Sequence, residues 1–353
     1  MRFGAQGALR GELLELRDLD AAGLERLKHT PAAALGSCRY KLQAGDAERL
    51  VDLCRQRGID TWIYIGGNDS ADTSREVAEY AAASGIDLQV IGVPKTIDND
   101  LPGTDHCPGY GSAARFVASI TRETARDTEA MRHTDPIRII EVMGRHAGWL
   151  PGSAWLARQA SDDAPHLVYL PERPSGSDQI VQQVKDVYEQ VGWCVVVLCE
   201  NQPEPDGRVI GADASPRWVD SFGHAYFDSP AQALARKLTN QLQVRVRYDK
   251  PGTIQRNALG YVSSTDRADA ELVGRAAVQL AGQGRSGVMV TLEREQPYII
   301  TTGEVPLEIV ANEQRRLPDA YINAAGNGLT PKFVDYARPL IGEPLPALAR
   351  LLG

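Results

Sequence analysis

Residues 60–70 read Asp-Thr-Trp-Ile-Tyr-Ile-Gly-Gly-Asn-Asp-Ser, an apolar and β-branched run that passes straight into paired glycines and an Asn-Asp-Ser cluster. The run reads as a buried strand, the glycines as a turn and the cluster as the start of a helix. The amphipathic stretch Ala71–Ser84 supplies that helix. Working outward, the same alternation recurs. Strands are expected at Leu88–Val93, Ile137–Met143, His166–Leu170 and Trp193–Cys199, and shorter ones at Gly287–Leu292 and Tyr298–Thr302. Helices are expected over Gly111–Met131, where Phe116, Val117, Ile120 and Ala125 fall at helical spacing, and over Asp228–Leu242 and Asp266–Leu280. Strands alternating with helices predict an α/β fold of mainly parallel sheets flanked by helices.

With 353 residues the chain is long enough for two domains with full cores. Its 43% hydrophobic and 24% charged composition is that of an ordinary α/β protein. A formal charge of −8 argues against general nucleic-acid binding, which needs a basic face, but not against small anions held by a few local cations. The five cysteines Cys38, Cys54, Cys107, Cys194 and Cys199 form no CxxC pair and no metal spacing. They read as small buried hydrophobes of a reducing compartment. No secretory signal and no apolar run near ~18 residues is present, so a cytoplasmic location without a membrane span is expected.

Ligands of an open α/β sheet gather at the carboxyl ends of its strands, and three loops there are unusual. In Gly66-Gly67-Asn68-Asp69-Ser70, paired glycines let backbone N–H groups approach an anion at a helix start. The same residues also suit a plain strand–helix turn capped by Asn, Asp or Ser, and the residues alone leave both readings open. In Pro94-Lys95-Thr96-Ile97-Asp98-Asn99-Asp100, two carboxylates follow a lysine and a threonine. Such a string offers a general base, a metal ligand, a phosphate cation and a hydroxyl donor, where an ordinary acidic turn would need none of them. In Glu141-Val142-Met143-Gly144-Arg145-His146-Ala147-Gly148, Arg145 stands at a strand's end, suited either to phosphate or to solvent.

Gly109-Tyr110-Gly111-Ser112-Ala113-Ala114 fits a dinucleotide fingerprint but follows no strand directly and lacks the later acidic residue. No GxxxxGK[ST] loop occurs, which removes the P-loop route to nucleoside triphosphates.

The three loops in this order resemble the phosphofructokinase family, from the first residues to roughly residue 325. GGNDS is similar to its phosphate/metal loop, PKTIDND to its catalytic loop and EVMGRHAGW to its sugar loop, while Ala34–Arg39 resembles its LGS.R stretch. The resemblance implies that Asp98 takes the proton of the sugar's 1-hydroxyl, that Asp100 assists and that Thr96 holds the moving phosphoryl group. It implies donor contacts from Gly66, Gly67, Asn68, Asp69, Ser70, Lys95 and Arg39, charge neutralisation by Arg145, and Mg²⁺ at Asn68 and Asp69. Met143, Gly144, Glu200, Arg247 and Arg256 match sugar-binding positions, with Arg247 reaching across from a neighbouring subunit of a homodimer or homotetramer. Where ATP-using members carry small residues this chain has Asp69 and Lys95, which resembles the pyrophosphate-dependent branch. The implied substrates are fructose 6-phosphate and pyrophosphate. ATP as donor, or a catalytically silent sugar-phosphate-binding subunit, are the competing readings.

The family also implies two interleaved lobes: 1–109 with 255–312 for the phosphate donor, and 110–254 with 313–353 for the sugar phosphate. Departures from its pattern accompany this. A GGxxPGxN loop is absent, and Arg2-Phe3-Gly4-Ala5 reads as the family's second strand in mid-course, so a strand–helix unit on the order of 30–40 residues is missing, with a misplaced start codon as the plain explanation. Asn68 stands where an aspartate meets the metal, Thr253 replaces a histidine or tyrosine, and Pro136 replaces an arginine for which Arg138 is a candidate substitute. Glu172 resembles an effector-side position and reads as structural.

Overall fold

The alternation expected from sequence resolves into two four-stranded sheets and one two-stranded pair, which a computed structural model describes for residues 1–350 apart from 18, 213–215, 224 and 296–297. The strands are β1 (Thr61–Gly66), β2 (Gln89–Pro94), β3 (Ile137–Val142), β4 (Leu167–Val168), β5 (Cys194–Cys199), β6 (Trp218–Val219), β7 (Ala225–Tyr226), β8 (Val246–Asp249), β9 (Val288–Glu295) and β10 (Ile299–Pro306). The helices are α1 (Gly4–Leu9), α2 (Ala21–Lys28), α3 (Asp46–Arg57), α4 (Asn68–Ala83), α5 (Tyr110–Ala130), α6 (Trp149–Ser153), α7 (Ser177–Val191), α8 (Pro230–Leu242), α9 (Ser264–Gly282), α10 (Leu307–Val310) and α11 (Pro331–Ala337).

One four-stranded sheet runs β1-β2-β9-β10, parallel except for β10, and the other runs β4-β5-β3-β8, parallel throughout. Register sets the functional end. Gly66 pairs with Pro94, so the loops after β1 and β2 leave the first sheet side by side. Val142 pairs with Cys199, so the loop after β3 and Glu200 leave the second sheet together.

Period-two burial builds the cores. In the second sheet Ile137, Ile139, Cys194, Val196 and Leu198 face Ile180 and Val184 of α7 and Leu234 and Leu238 of α8. Their neighbours Ile140, Val142, Val195 and Val197 face Phe116 and Val117 of α5 and the carboxyl-terminal Leu317, Phe333 and Leu340. The first sheet packs Trp62, Val90 and Met289 on Leu50 and Val77, and Ile91, Val93, Val290 and Leu292 on Val273 and Ala277. Cys194 and Cys199 are buried as expected.

Three details depart from the sequence reading. Arg2-Phe3-Gly4-Ala5 is not a strand: Phe3, with a φ of 53°, turns the chain out of extended geometry and Gly4 and Ala5 open the helix Gly4–Leu9. The expected strand at His166–Leu170 shrinks to Leu167–Val168. Finally, β8 and the short pair β6–β7 add strands where none was expected, and Arg247 and Tyr248 of β8 are exposed. No helix among the described residues is long and apolar enough to cross a membrane.

The loop after β2 is tied to α9 by buried His106, whose Nδ1 meets Asp105 at 2.8 Å and whose Nε2 meets Asp269 at 2.9 Å. Tyr298 donates to Asp269 at 3.2 Å, and Arg294 pairs with Asp105 at 2.8 Å. Burial alone would push the imidazole pKa down, but the two carboxylates outweigh it and raise it. Asp105 is held below the usual carboxylate range despite burial, by His106 and Arg294, and stays ionised above neutral pH. A raised histidine pKa gives stability that is complete below the unfolded value of about 6.5 and lost as pH climbs through the folded one. Chemical denaturation at pH 6 is therefore expected to show His106→Gln destabilised by about 1.5–3 kcal/mol, with the gap to wild type narrowing toward pH 9. A gap that stays constant with pH would contradict the charged state.

Candidate active site

The first two loops are built to touch. Gly67 caps α4 without any side-chain cap, so neither Asn68 nor Ser70 plays the capping role that a plain turn would give it. A Cβ on Gly66 would lie 2.0 Å from Ser70 Oγ, so only glycine permits this close return of the helix onto the strand end. A Cβ on Gly67 would lie 3.8 Å from Thr96 Cβ, and Lys95 N–H donates to the Gly66 carbonyl at 3.0 Å. Asp69 lies in the first turn of α4, where the helix field favours a carboxylate. Asn68 uses its amide NH₂ on the Glu313 carbonyl.

In the second loop Thr96 Oγ1 accepts from Asp98 N–H at 3.1 Å, which leaves the hydroxyl proton to be donated elsewhere. Asp98 Oδ1 is buried and has no hydrogen-bond partner among the described residues. Burial first, then the charge of Asp100, push the Asp98 pKa up to about 7, and Glu200 adds to this while Arg145 and Lys95 oppose it. Four groups from three chain segments thus act on one carboxylate. Asp100 is also raised, mainly by burial, against the Gln314 amide that meets its Oδ2 at 3.2 Å. Crowding by protein lowers the Lys95 pKa, with Arg256 adding and Asp98 opposing, so Arg256 stands in the field of the same site.

The third loop bends sharply. Gly144 has φ 138°, with room for no Cβ against the Ala147 carbonyl at 2.9 Å, and Arg145 itself is left-handed at φ 47°. Such a backbone is costly for arginine and is retained where surroundings over-determine it. The Cys199 thiol donates to the Arg145 carbonyl at 3.1 Å, and Met143 N–H donates to Gln255 Oε1 at 3.2 Å. Glu200 has a raised pKa, mainly from burial, opposed by Lys250 and Arg145. Arg145 makes no ion pair of its own among the described residues, so its charge remains for an incoming anion.

Comparison with known proteins agrees with this geometry. A family model described as phosphofructokinase matches residues 1–281. The chain belongs to the phosphofructokinase family. A pyrophosphate–fructose 6-phosphate 1-phosphotransferase of Xanthomonas campestris is 42% identical over 96% of this chain and 83% of its own length. The crystal structure of a pyrophosphate-dependent phosphofructokinase from Nitrosospira multiformis superposes with a TM-score of 0.88 at 33% identity, covering 99% of this chain and 85% of that one. One from Marinobacter aquaeolei gives 0.86 at 36% identity, covering 99% and 84%.

Other residues matched to phosphofructokinase positions are engaged by the protein itself. Arg39 pairs with buried Asp220. Arg247 is held by buried Asp135 at 2.8 Å, at the amino end of the second sheet and thus opposite the loops of its own chain. Arg138 is engaged by Asp127 at 2.6 Å and Asp249 at 3.0 Å. Glu172 accepts from Gly148 N–H at 2.8 Å and Leu317 N–H at 2.9 Å, which is the structural part expected of it.

Sequence reasoning missed the segment 312–317. Asn312 Nδ2 meets Asp72 of α4 at 3.0 Å, and the Glu313 carbonyl accepts from Asn68. Gln314 and Arg315 grip the second loop, and the Arg315 carbonyl accepts from Trp149 Nε1 at 3.1 Å. The hint in the sequence is a polar Asn-Glu-Gln-Arg-Arg string just after α10, which reads equally well as solvated surface.

Proposed function

We propose that this chain transfers a phosphoryl group from pyrophosphate to the 1-hydroxyl of fructose 6-phosphate, giving fructose 1,6-bisphosphate and phosphate. The observation that carries the reading is Asp98, a carboxylate with a free buried oxygen and a pKa of about 7 in the combined field of Lys95, Asp100, Arg145 and Glu200. A base poised near neutral pH is what proton removal from a sugar alcohol needs. The sugar oxygen bonds to phosphorus as the bridging P–O bond of pyrophosphate breaks, the alcohol proton passes to Asp98 and phosphate departs. Little covalent help is required, and positioning with charge stabilisation does most of the catalysis. Thr96 donates its hydroxyl proton to the moving group, Arg145 and Lys95 neutralise it, and Gly66, Gly67 and Ser70 cradle the donor. Met143, Gly144, Glu200 and Arg256 hold the sugar. Arg247 serves a neighbouring subunit of a homo-oligomer, consistent with its place far from its own loops.

Mg²⁺ fits this donor set. Among the described residues no three His, Cys, Asp or Glu side chains converge as a metal cage. Mg²⁺ is ordinarily held by one or two protein oxygens together with substrate phosphates. Asp69 and the amide oxygen of Asn68, whose nitrogen is already engaged, supply such oxygens. The ion would neutralise charge on the pyrophosphate. The first lobe, 1–109 with 255–312, holds the donor, and the second, 110–254 with 313–353, the sugar.

The test is phosphorylation of fructose 6-phosphate with pyrophosphate or ATP as donor at equal concentration. Product formation with pyrophosphate at least ~10-fold faster than with ATP is expected, the ratio that a single charged hydrogen bond supplies. Faster use of ATP would overturn the donor assignment, and no product from either donor would overturn the reaction.

A further inference from the structure

Gln314 and Arg315 lie in a segment with no assigned part in the chemistry, yet consecutive residues there reach all three loops. Arg315 is the unusual member. Its guanidinium carries no carboxylate partner among the described residues. Instead it donates to the carbonyls of Asn99 at 2.8 Å, Thr104 at 2.8 Å and Asp105 at 2.5 Å, and lies 4.4 Å from the centroid of the Trp149 ring. Its own N–H donates to the Asp100 carbonyl at 2.7 Å. Tyr336 reinforces the grip by accepting from Asn99 Nδ2 and donating to the Asp105 carbonyl, each at 2.8 Å. Asn99 needs such support, because its φ of 56° places a non-glycine residue in the left-handed region between the two aspartates.

We infer that Gln314 and Arg315 are positioning residues for the transfer step, with Arg315 locking the backbone between Asp98 and Asp105 against Trp149 of the sugar loop and Gln314 fixing the Asp100 carboxylate beside Asp98. The inference rests on the phosphoryl-transfer reading above and adds residues that neither touch substrate nor belong to its three loops. A planar fork that reaches several carbonyls at once is a task for arginine, since lysine offers a single point charge. One side of the clamp holds the catalytic loop and the other the sugar loop. It therefore sets the distance between the base and the hydroxyl it must meet. Misplacement by about 1 Å costs on the order of 10²-fold in rate while leaving binding contacts in place.

The experiment uses full-length Gln314→Met, which keeps the volume and removes the amide, and Arg315→Lys. Steady-state kinetics with pyrophosphate and fructose 6-phosphate are read beside thermal melting. The expected result is a kcat lower by about 10–100-fold in both variants, with KM for each substrate within about threefold of wild type and, for Gln314→Met, an unchanged melting midpoint. If Arg315→Lys does not fold, Gln314→Met decides alone. A folded Gln314→Met with wild-type kcat overturns the inference, as does one in which kcat, KM and stability all deteriorate together. A wild-type protein without pyrophosphate activity overturns the reading beneath it, and the inference falls with it. An active wild type with an unimpaired Gln314→Met removes this inference alone.

Discussion

Asp98→Asn is expected to lower kcat with pyrophosphate and fructose 6-phosphate by about 10²–10⁴-fold, the usual share of a general base. The amide keeps the shape of the carboxylate but accepts no proton, so KM for fructose 6-phosphate should change far less than kcat. Stability separates this from damage to the fold. A carboxyl whose folded pKa is raised to about 7 contributes stability that is complete below the unfolded value near 3.9 and lost as pH rises through 7. At pH 8 the wild type therefore holds a buried, unpaired charge, and Asp98→Asn removes it. Thermal melting at pH 8 is expected to show the variant equal to or more stable than wild type. The wild-type pH profile should carry the same signature, with kcat/KM falling as pH drops below about 7. A profile flat from pH 8 down to pH 5 would mean that another group takes the proton, as would an Asp98→Asn variant with normal kcat.

How much of this was legible from the chain alone depends on the range of the interactions involved. Strands and their trailing loops were readable because they are local. The run ending at Ile65 and the glycines after it decide β1 and the start of α4 without distant help, and the same holds for Pro94 to Asp100 after β2. Burial of β5 on both faces was readable for the same reason, since its six residues are all apolar or cysteine.

What escaped was set by distance along the sequence. Arg315 lies 216 positions from Asn99, whose carbonyl it caps, and no periodicity marks a residue whose partners are backbone atoms elsewhere. The strand β8 escaped because only Val246 among its residues is apolar, and it counts as a strand through pairing with β3. At the amino terminus, Arg2-Phe3-Gly4-Ala5 was misread because family likeness suggested a strand, where Gly4 and Ala5 instead open α1. Loop chemistry could be read from residue types. How the loops are held at working distance could not.

Donor choice is the sharper test of that chemistry. The double variant Asp69→Gly with Lys95→Gly is expected to lose pyrophosphate-dependent activity by about 10²-fold or more and to shift the donor ratio toward ATP. Lys95 is accessible, makes no ion pair among the described residues and sits beside Asp98, so its charge is available to an incoming anion. One charge-assisted hydrogen bond to the departing phosphate is worth about 1.5–3 kcal/mol, or roughly 10–100-fold in rate if it strengthens in the transition state. Asp69 acts in the other direction. On the proposed reading its carboxylate, in the first turn of α4, would fill and charge the space that the inner phosphate of a nucleotide would enter, so glycine there would remove a repulsion rather than add a contact. The two single variants should accordingly differ. Lys95→Gly is expected to cost pyrophosphate rate without helping ATP, whereas Asp69→Gly is expected to ease ATP entry. Steady-state rates with each donor, measured at saturating fructose 6-phosphate, check this directly, and donor ratios that stay at the wild-type value in all three variants would show that selection lies elsewhere in the site.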